Sequence, residues 1–149
     1  MAKVVSSIAQ SVLVEQRYFT LHDARGPEPL APPEPVDEQL VHADLGHAVF
    51  RSAESGHYAA VRAELWDAEP GTPEDGFDAQ GRVDILAGSA ELVLGPVLTV
   101  SEPARLALPA PGRYRIDASA RGRTEVRALG PGSYAHGIES WVIRIWPVR

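Results

Sequence analysis

Apolar and polar side chains alternate without interruption along Gly112-Arg113-Tyr114-Arg115-Ile116-Asp117-Ala118-Ser119-Ala120-Arg121. Successive side chains of a β-strand point to opposite faces of its sheet, so the alternation predicts a strand with one face in the core. The inward set is Tyr114, Ile116, Ala118 and Ala120, and the outward set is Arg113, Arg115, Asp117 and Ser119.

The C-terminal stretch Ser140-Trp141-Val142-Ile143-Arg144-Ile145-Trp146-Pro147 predicts a second core strand. One of its faces carries Trp141, Ile143 and Ile145, and the other carries Val142, Arg144 and Trp146. Further strands are predicted at Val12–His22, Val83–Leu86, Ala90–Leu94, Val97–Val100 and Arg105–Leu108. Short strands separated by Gly and Pro are typical of sandwiches and barrels. We therefore predict an all-β fold, an antiparallel β-sandwich or partly open barrel with few or no helices, formed by residues 1–149 as a single domain.

A β-hairpin is predicted in the middle of the chain. The apolar segments Gly46–Ala53 and Tyr58–Trp66 flank the turn residues Glu54-Ser55-Gly56-His57. With Ser55-Gly56 at the tip, Phe50 is expected opposite Val61.

Two segments are predicted to be irregular. Residues 25–36 contain Pro27, Pro29, Pro32, Pro33 and Pro35, and proline cannot donate to a hydrogen-bond ladder. An extended polyproline II surface connection is the expected structure, and a proline ligand for a partner is the alternative. Residues 122–137, with Gly122, Gly130, Pro131, Gly132 and Gly137, are predicted to be a loop.

Composition restricts the class of protein and its partners. Apolar residues make up 44% and charged residues 23%, which is typical of globular proteins. There is no cysteine, which excludes disulfides and thiolate sites and favours the cytoplasm. No apolar run approaches the length of a membrane span and no signal peptide is recognised. The net charge of −6 argues against nucleic acid as a partner, because phosphate binding requires clustered cations.

The acidic residues are concentrated between residues 64 and 84, and the C-terminal part is rich in arginine. Solvated strand faces and loops that neutralise one another would explain this pattern, and a charged partner site is the alternative. Residues 67–81 predict an exposed acidic loop, and loops of this length are often functional. The candidate partner-binding residues are Glu64, Asp67, Glu69, Glu74, Asp75 and Asp78.

No catalytic, cofactor or nucleotide motif is recognised. Gly88-Ser89-Ala90 and Gly132-Ser133-Tyr134 lack the nucleophile elbow of serine hydrolases, and no Gly-rich phosphate loop opens a helix. His42, His47 and His57 are an alternative metal set, but their spacing matches no His-Glu-x-x-His or His-x-His pattern. The predicted set of catalytic residues, cofactors and metals is therefore empty, with the three histidines as the alternative.

Three segments resemble the competence protein J (ComJ) family in layout over residues 11–120. They are Gln16-Arg17-Tyr18-Phe19-Thr20-Leu21-His22-Asp23, then Glu64-Leu65-Trp66-Asp67, then Leu106-Ala107-Leu108-Pro109 with Gly112-Arg113-Tyr114-Arg115-Ile116. Family members place a strand before a hairpin, a charged loop and a Leu-x-Leu-Pro segment. Since ComJ inhibits a DNA-entry nuclease, the resemblance implies a small acidic β-sandwich-like protein that blocks a basic nuclease or has another partner.

The leading hypothesis from sequence is a non-enzymatic inhibitor or immunity-type module that masks a basic protein such as a nuclease or toxin. Two alternatives stay open. One is a small-ligand or metal-binding β-barrel, and the other is a structural subunit of an oligomeric assembly, with the oligomeric state undetermined.

Overall fold

The computed structural model describes residues 1–26, 39–44, 46–95 and 103–149, which contain ten strands and one helix. The strands are β1 Val4–Val14, β2 Tyr18–Asp23, β3 Val41–Asp44, β4 His47–Arg51, β5 His57–Trp66, β6 Ala79–Ala87, β7 Glu91–Gly95, β8 Arg105–Ala107, β9 Gly112–Arg121 and β10 His136–Pro147. The helix α1 spans Arg123–Leu129 and is seven residues long. Within the described ranges, no helix has the length and apolar character needed to cross a membrane.

The strands form two five-stranded sheets. The order in the first sheet is β1-β5-β10-β9-β6, and the order in the second is β3-β4-β2-β7-β8. Neighbouring described strands are antiparallel, except that β10 runs parallel to β5. The predicted all-β sandwich is confirmed, and the parallel pair at the centre of the first sheet is an addition to it.

The core lies between the two sheets and contains the inward faces of both predicted core strands. Tyr114, Ile116, Ala118 and Ala120 of β9 are buried, as are Trp141, Ile143 and Ile145 of β10. Phe19 and Phe50 of the second sheet stack with ring centroids 5.0 Å apart. The indole of Trp141 meets them edge-on at 5.1 Å and 5.9 Å. These aromatic contacts join the two sheets at their centre.

The predicted hairpin is wrong, because its two arms belong to different sheets. β4 lies in the second sheet, where Phe50 is opposite Phe19 and Val41. β5 lies in the first sheet, where Val61 is opposite Gln10 and Trp141. Residues 52–56 therefore cross between the sheets. Alternation reveals which face of a strand is buried, but both sheets of a sandwich bury one face, so the pattern cannot assign the sheet.

The predicted first strand, Val12–His22, is divided between two strands that belong to different sheets, which the alternation of its side chains does not reveal. β1 ends at Val14 in the first sheet and β2 begins at Tyr18 in the second, with Arg17 in the left-handed region at φ 66°. The two crossings contact each other directly. The Ser52 N–H donates to the Arg17 carbonyl at 2.8 Å, and the Gly56 N–H donates to the Val14 carbonyl at 2.6 Å.

The predicted loop at residues 122–137 contains the helix α1. Gly122 and Gly130 flank it, both at φ 77°, and Val126 is its buried residue. A helix this short shows barely two turns of periodicity, so the flanking glycines dominate the sequence signal. The polyproline II prediction falls mostly on residues 27–38, and the strand predicted at Val97–Val100 falls on residues 96–102. Both lie outside the described residues.

Candidate functional site

The acidic loop, residues 67–78, is anchored to the rest of the protein by its own acidic residues. The Asp67 carboxylate accepts a hydrogen bond from the Lys3 backbone N–H at 2.8 Å. The Asp78 carboxylate accepts one from the Gly122 N–H at 2.9 Å. Glu69 pairs with Arg82 at 3.4 Å. The loop is thus held by two contacts within its first three residues and by one at its last residue, so three of the six predicted contact residues also have a local structural role.

The loop also packs on the outer face of β9 and β10. Arg144 donates from Nη1 to the Gly71 carbonyl at 2.8 Å and from Nη2 to the Asp117 carboxylate at 2.6 Å. Arg121 lies over the Phe77 ring at 5.4 Å. Asp117 and Ser119 point outward as predicted, yet they are 6% and 3% exposed. Asp117 is paired with Arg144, so its charge is compensated where it is withdrawn from solvent.

Two carboxylates of the predicted set, Glu74 and Asp75, are exposed to solvent. Within the described chain, neither Glu74 nor Asp75 forms an ion pair or a side-chain hydrogen bond. Glu64 lies on β5 rather than in the loop, where it pairs with Arg62 at 3.3 Å and accepts from Trp66 Nε1 at 3.2 Å. Of the six predicted residues, Glu74 and Asp75 are therefore the two whose charges no described residue engages.

A second polar feature, the buried cluster, lies where residues 52–56 cross between the sheets. The Glu139 carboxylate is fully buried and accepts from Ser52 Oγ at 2.7 Å, from the Ala53 N–H at 2.8 Å and from Trp141 Nε1 at 2.8 Å. Arg123 of α1 approaches it at 3.3 Å. These donors compensate the buried charge, and they tie β10 and α1 to the crossing.

The cluster contains Ser52, His57 and Glu139, the residue types of a hydrolytic triad, but its geometry differs from one. Ser52 Oγ lies 2.8 Å from His57 Nε2, whereas the carboxylate contacts the serine rather than the far side of the ring. His57 Nδ1, which the acid of a triad would engage, has no hydrogen-bond partner among the described residues. Ser52 is 3% exposed, and His57 and Glu139 are 0% exposed, so the cluster is almost entirely withdrawn from solvent.

The three histidines of the alternative metal set lie on three different strands. His42 is on β3, His47 is on β4, and the buried His57 of β5 is bonded to Ser52. Across the described ranges, no group of three or more His, Asp or Glu side chains is placed to hold a metal ion.

Sequence reasoning missed Ser52, Arg123 and Glu139 as a connected set. A signal for Glu139 was present, because it continues the inward series of Trp141, Ile143 and Ile145 at a spacing of two. An acidic residue in phase with a buried face predicts a buried carboxylate that needs donors. The donors come from distant parts of the chain, and sequence spacing does not reveal them.

The comparisons with known proteins place this fold in a structural class. No family model matches the chain, and no curated protein matches it by sequence. Two solved structures share its fold over nearly the whole length, so the chain is a two-sheet β protein of a known type. One is ComJ from Bacillus subtilis, an inhibitor of the DNA degrading activity of NucA. It has a TM-score of 0.67, 14% identity and 99% coverage of both chains.

The other solved structure is described as crocagin biosynthetic gene J. Its TM-score is 0.62 at 19% identity, covering 100% of this chain and 99% of that one. The resemblance to ComJ noted in the sequence is thereby confirmed at the level of the fold, and it extends from residues 11–120 to the whole chain.

Proposed function

We propose that this protein is a non-enzymatic, inhibitor-type module that binds a protein partner. The observation that carries the proposal is the full-length likeness to ComJ, which inhibits a nuclease. Within the proposal the partner is basic, because the free carboxylates Glu74 and Asp75 are the available negative charges of the loop. A cytoplasmic location remains a prediction from the absence of cysteine.

The anchoring of the acidic loop supports this role. A loop that is ordered before binding loses less conformational entropy on binding than a mobile one. Asp67, Glu69 and Asp78 fix the loop, while Glu74 and Asp75 stay unpaired within the described chain. The two free carboxylates are therefore presented in a defined position, where they attract a cationic surface and increase the association rate.

The buried cluster supports the non-enzymatic part of the proposal. Its Ser52, His57 and Glu139 are used for packing the crossing against β10, and they are closed to solvent. Hydrolytic chemistry at this cluster would require a nucleophile that a substrate can reach and a carboxylate on the outer nitrogen of the histidine. In this cluster His57 Nδ1 has no carboxylate partner among the described residues, and Ser52 is only 3% exposed.

Affinity purification from the native cell tests the proposal, with the wild-type chain and Glu74→Gln/Asp75→Asn as bait. The matched control is Glu15→Gln/Glu125→Gln, which removes two exposed carboxylates outside the loop. We expect the wild type and the control to recover one partner in stoichiometric amounts, and the loop variant to recover at least about tenfold less. Recovery of the bait alone would contradict protein binding. Equal recovery by all three baits would exclude the loop as the contact.

A further inference from the structure

A groove of ≈ 1100 Å³ lies where the edges of the two sheets meet. Residues 79–83 of β6 form one side, and residues 39–41 at the start of β3 form the other. β6 and β3 are the outermost strands of their sheets. A Cβ atom added to Gly81 would lie 2.9 Å from Val41 Cγ1, so β3 packs against a face of β6 at this point and not against its hydrogen-bonding edge.

The groove is strongly basic. Its described lining residues include five arginines and no carboxylate. The arginines are Arg17, Arg51, Arg82, Arg123 and Arg127. Five like charges therefore converge in one groove of a protein whose net charge is −6.

Three of these arginines are compensated by acidic residues that lie outside the groove. Arg17 pairs with Glu54 at 3.3 Å. Arg82 pairs with Glu69 at 3.4 Å. Arg123 approaches Glu139 at 3.3 Å. Each of these carboxylates offsets the charge of its arginine, which leaves two arginines of the groove without an acidic partner among the described residues.

Arg51 and Arg127 form no ion pair or side-chain hydrogen bond with any described residue. The Arg51 Nε atom is withdrawn from solvent without an acceptor, which costs free energy. Burial lowers the pKa of Arg123, with the charges of Arg127 and Arg51 lowering it further against the attraction of Glu139 and Asp78. The cations of the groove therefore repel one another, and a bound anion would relieve that repulsion.

The edge strand beside these arginines indicates what kind of anion fits. β6 pairs with β9 on one side, and no described strand pairs with its other side. An unpaired strand edge can accept an extended peptide through its main-chain groups, and guanidinium groups bind carboxylates with paired hydrogen bonds.

We propose that this groove binds an extended acidic segment of a partner protein, with its carboxylates on Arg51 and Arg127 and its main chain along the free edge of β6. The proposal does not depend on the acidic loop. The two surfaces carry opposite charge and are altered by different substitutions, at Glu74 and Asp75 in the loop and at Arg51 and Arg127 in the groove.

A peptide-binding experiment on the full chain tests the groove. The probe is a fluorescein-labelled Glu-Val-Glu-Val-Glu-Val-Glu peptide, with the Gln-Val-Gln-Val-Gln-Val-Gln peptide as its uncharged counterpart. We expect the glutamate peptide to bind and the glutamine peptide to bind at least about tenfold more weakly. Arg51→Gln/Arg127→Gln should weaken binding of the glutamate peptide by at least about tenfold. The control Arg105→Gln/Arg113→Gln removes the same charge at exposed positions outside the groove and should bind as the wild type does.

Several outcomes would overturn the proposal. One is no binding of the glutamate peptide by the wild type, and another is equal loss in the control variant. Stronger binding of pyrophosphate or of a thymidine oligonucleotide would identify a phosphate site instead. Unchanged affinity for a probe with N-methyl groups on alternate residues would exclude pairing with the β6 edge. Equal melting temperatures of the two double variants establish that a loss of binding is local.

Discussion

The indole Nε1 of Trp141 donates a hydrogen bond to the carboxylate of Glu139, two residues earlier on the same strand, at 2.8 Å. Both side chains point into the sandwich, so a carboxylate sits beside an aromatic cluster in the interior. It is tolerated because Ser52 Oγ and the Ala53 N–H also donate to it. The pair therefore connects the crossing at residues 52–56 to the centre of β10.

We expect Glu139→Gln to destabilise the protein by about 3 kcal/mol, because it removes the buried partner of Arg123 and places an amide among groups that already donate. Urea unfolding at neutral pH measures the loss. Glu15→Gln, an exposed substitution of the same chemistry, should stay within about 0.5 kcal/mol of the wild type. If the two variants unfold at the same urea concentration, Glu139 does not hold the crossing.

Gly122 and Gly130 form a matched pair at the two ends of α1, since both have φ 77°. A Cβ atom on Gly122 would lie 1.8 Å from the Ile138 carbonyl oxygen, whereas nothing lies within 4 Å of one on Gly130. Gly130→Ala should cost about 1–2 kcal/mol, which is the penalty for the left-handed conformation alone. Gly122→Ala should cost at least about 2 kcal/mol more, because the backbone must also move. Similar unfolding midpoints would contradict the close packing of Gly122 against β10.

The stability should depend on Asp23 at acid pH. Burial raises the pKa of this carboxyl, but the Ser89 hydroxyl and the N–H groups of Arg25, Gly88 and Ser89 outweigh it and leave the pKa below the ordinary value of 3.8. The unfolded state then binds more protons, so the contribution of Asp23 is complete above pH 3.8 and is lost as the pH falls through the lower folded value.

Asp23→Asn removes this titrating group. We expect its unfolding free energy to fall less steeply than that of the wild type between about pH 5 and pH 2. Parallel curves for the wild type and Asp23→Asn would show that Asp23 has an ordinary pKa in the folded state.

The order of the acidic loop should depend on Arg144, which bonds both Gly71 and Asp117. Arg144→Met is expected to cost about 3 kcal/mol, because it leaves the Asp117 carboxylate buried without its nearest cation. It should also speed amide hydrogen exchange in residues 67–78. Arg115→Met, which breaks the exposed pair with Asp84, should leave exchange in the loop unchanged. Wild-type exchange in Arg144→Met would contradict the anchored loop.

The two core strands could be predicted because their alternation is unbroken. Tyr114, Ile116 and Ala118 lie inside as expected, and the same holds for Trp141 and Ile143. Which strands would be neighbours could not be predicted. Phe50 meets Phe19 rather than Val61, because residues 52–56 carry the chain to the other sheet. Turn residues signal a change of direction, and a hairpin and a crossing between sheets use the same ones.

The acidic loop could be predicted from composition, but the state of each carboxylate could not. Asp67 and Asp78 accept backbone hydrogen bonds from Lys3 and Gly122, which are distant in sequence. The arginines of the groove come from four separate parts of the chain and are brought together by the meeting of two sheet edges. Such convergence depends on tertiary structure, so counting charges along the sequence shows only an acidic protein.

The role of the acidic loop in partner binding is tested by the association rate of the purified partner with the wild type as ionic strength is varied. The screening length is about 10 Å at 0.1 M salt and about 3 Å at 1 M, so added salt weakens the attraction between exposed charges. We predict that the rate falls at least about tenfold between 0.05 and 0.5 M salt, and that Glu74→Gln/Asp75→Asn has a lower rate at low salt and a shallower dependence. A wild-type rate that does not change with salt would contradict the acidic loop as the partner-binding surface.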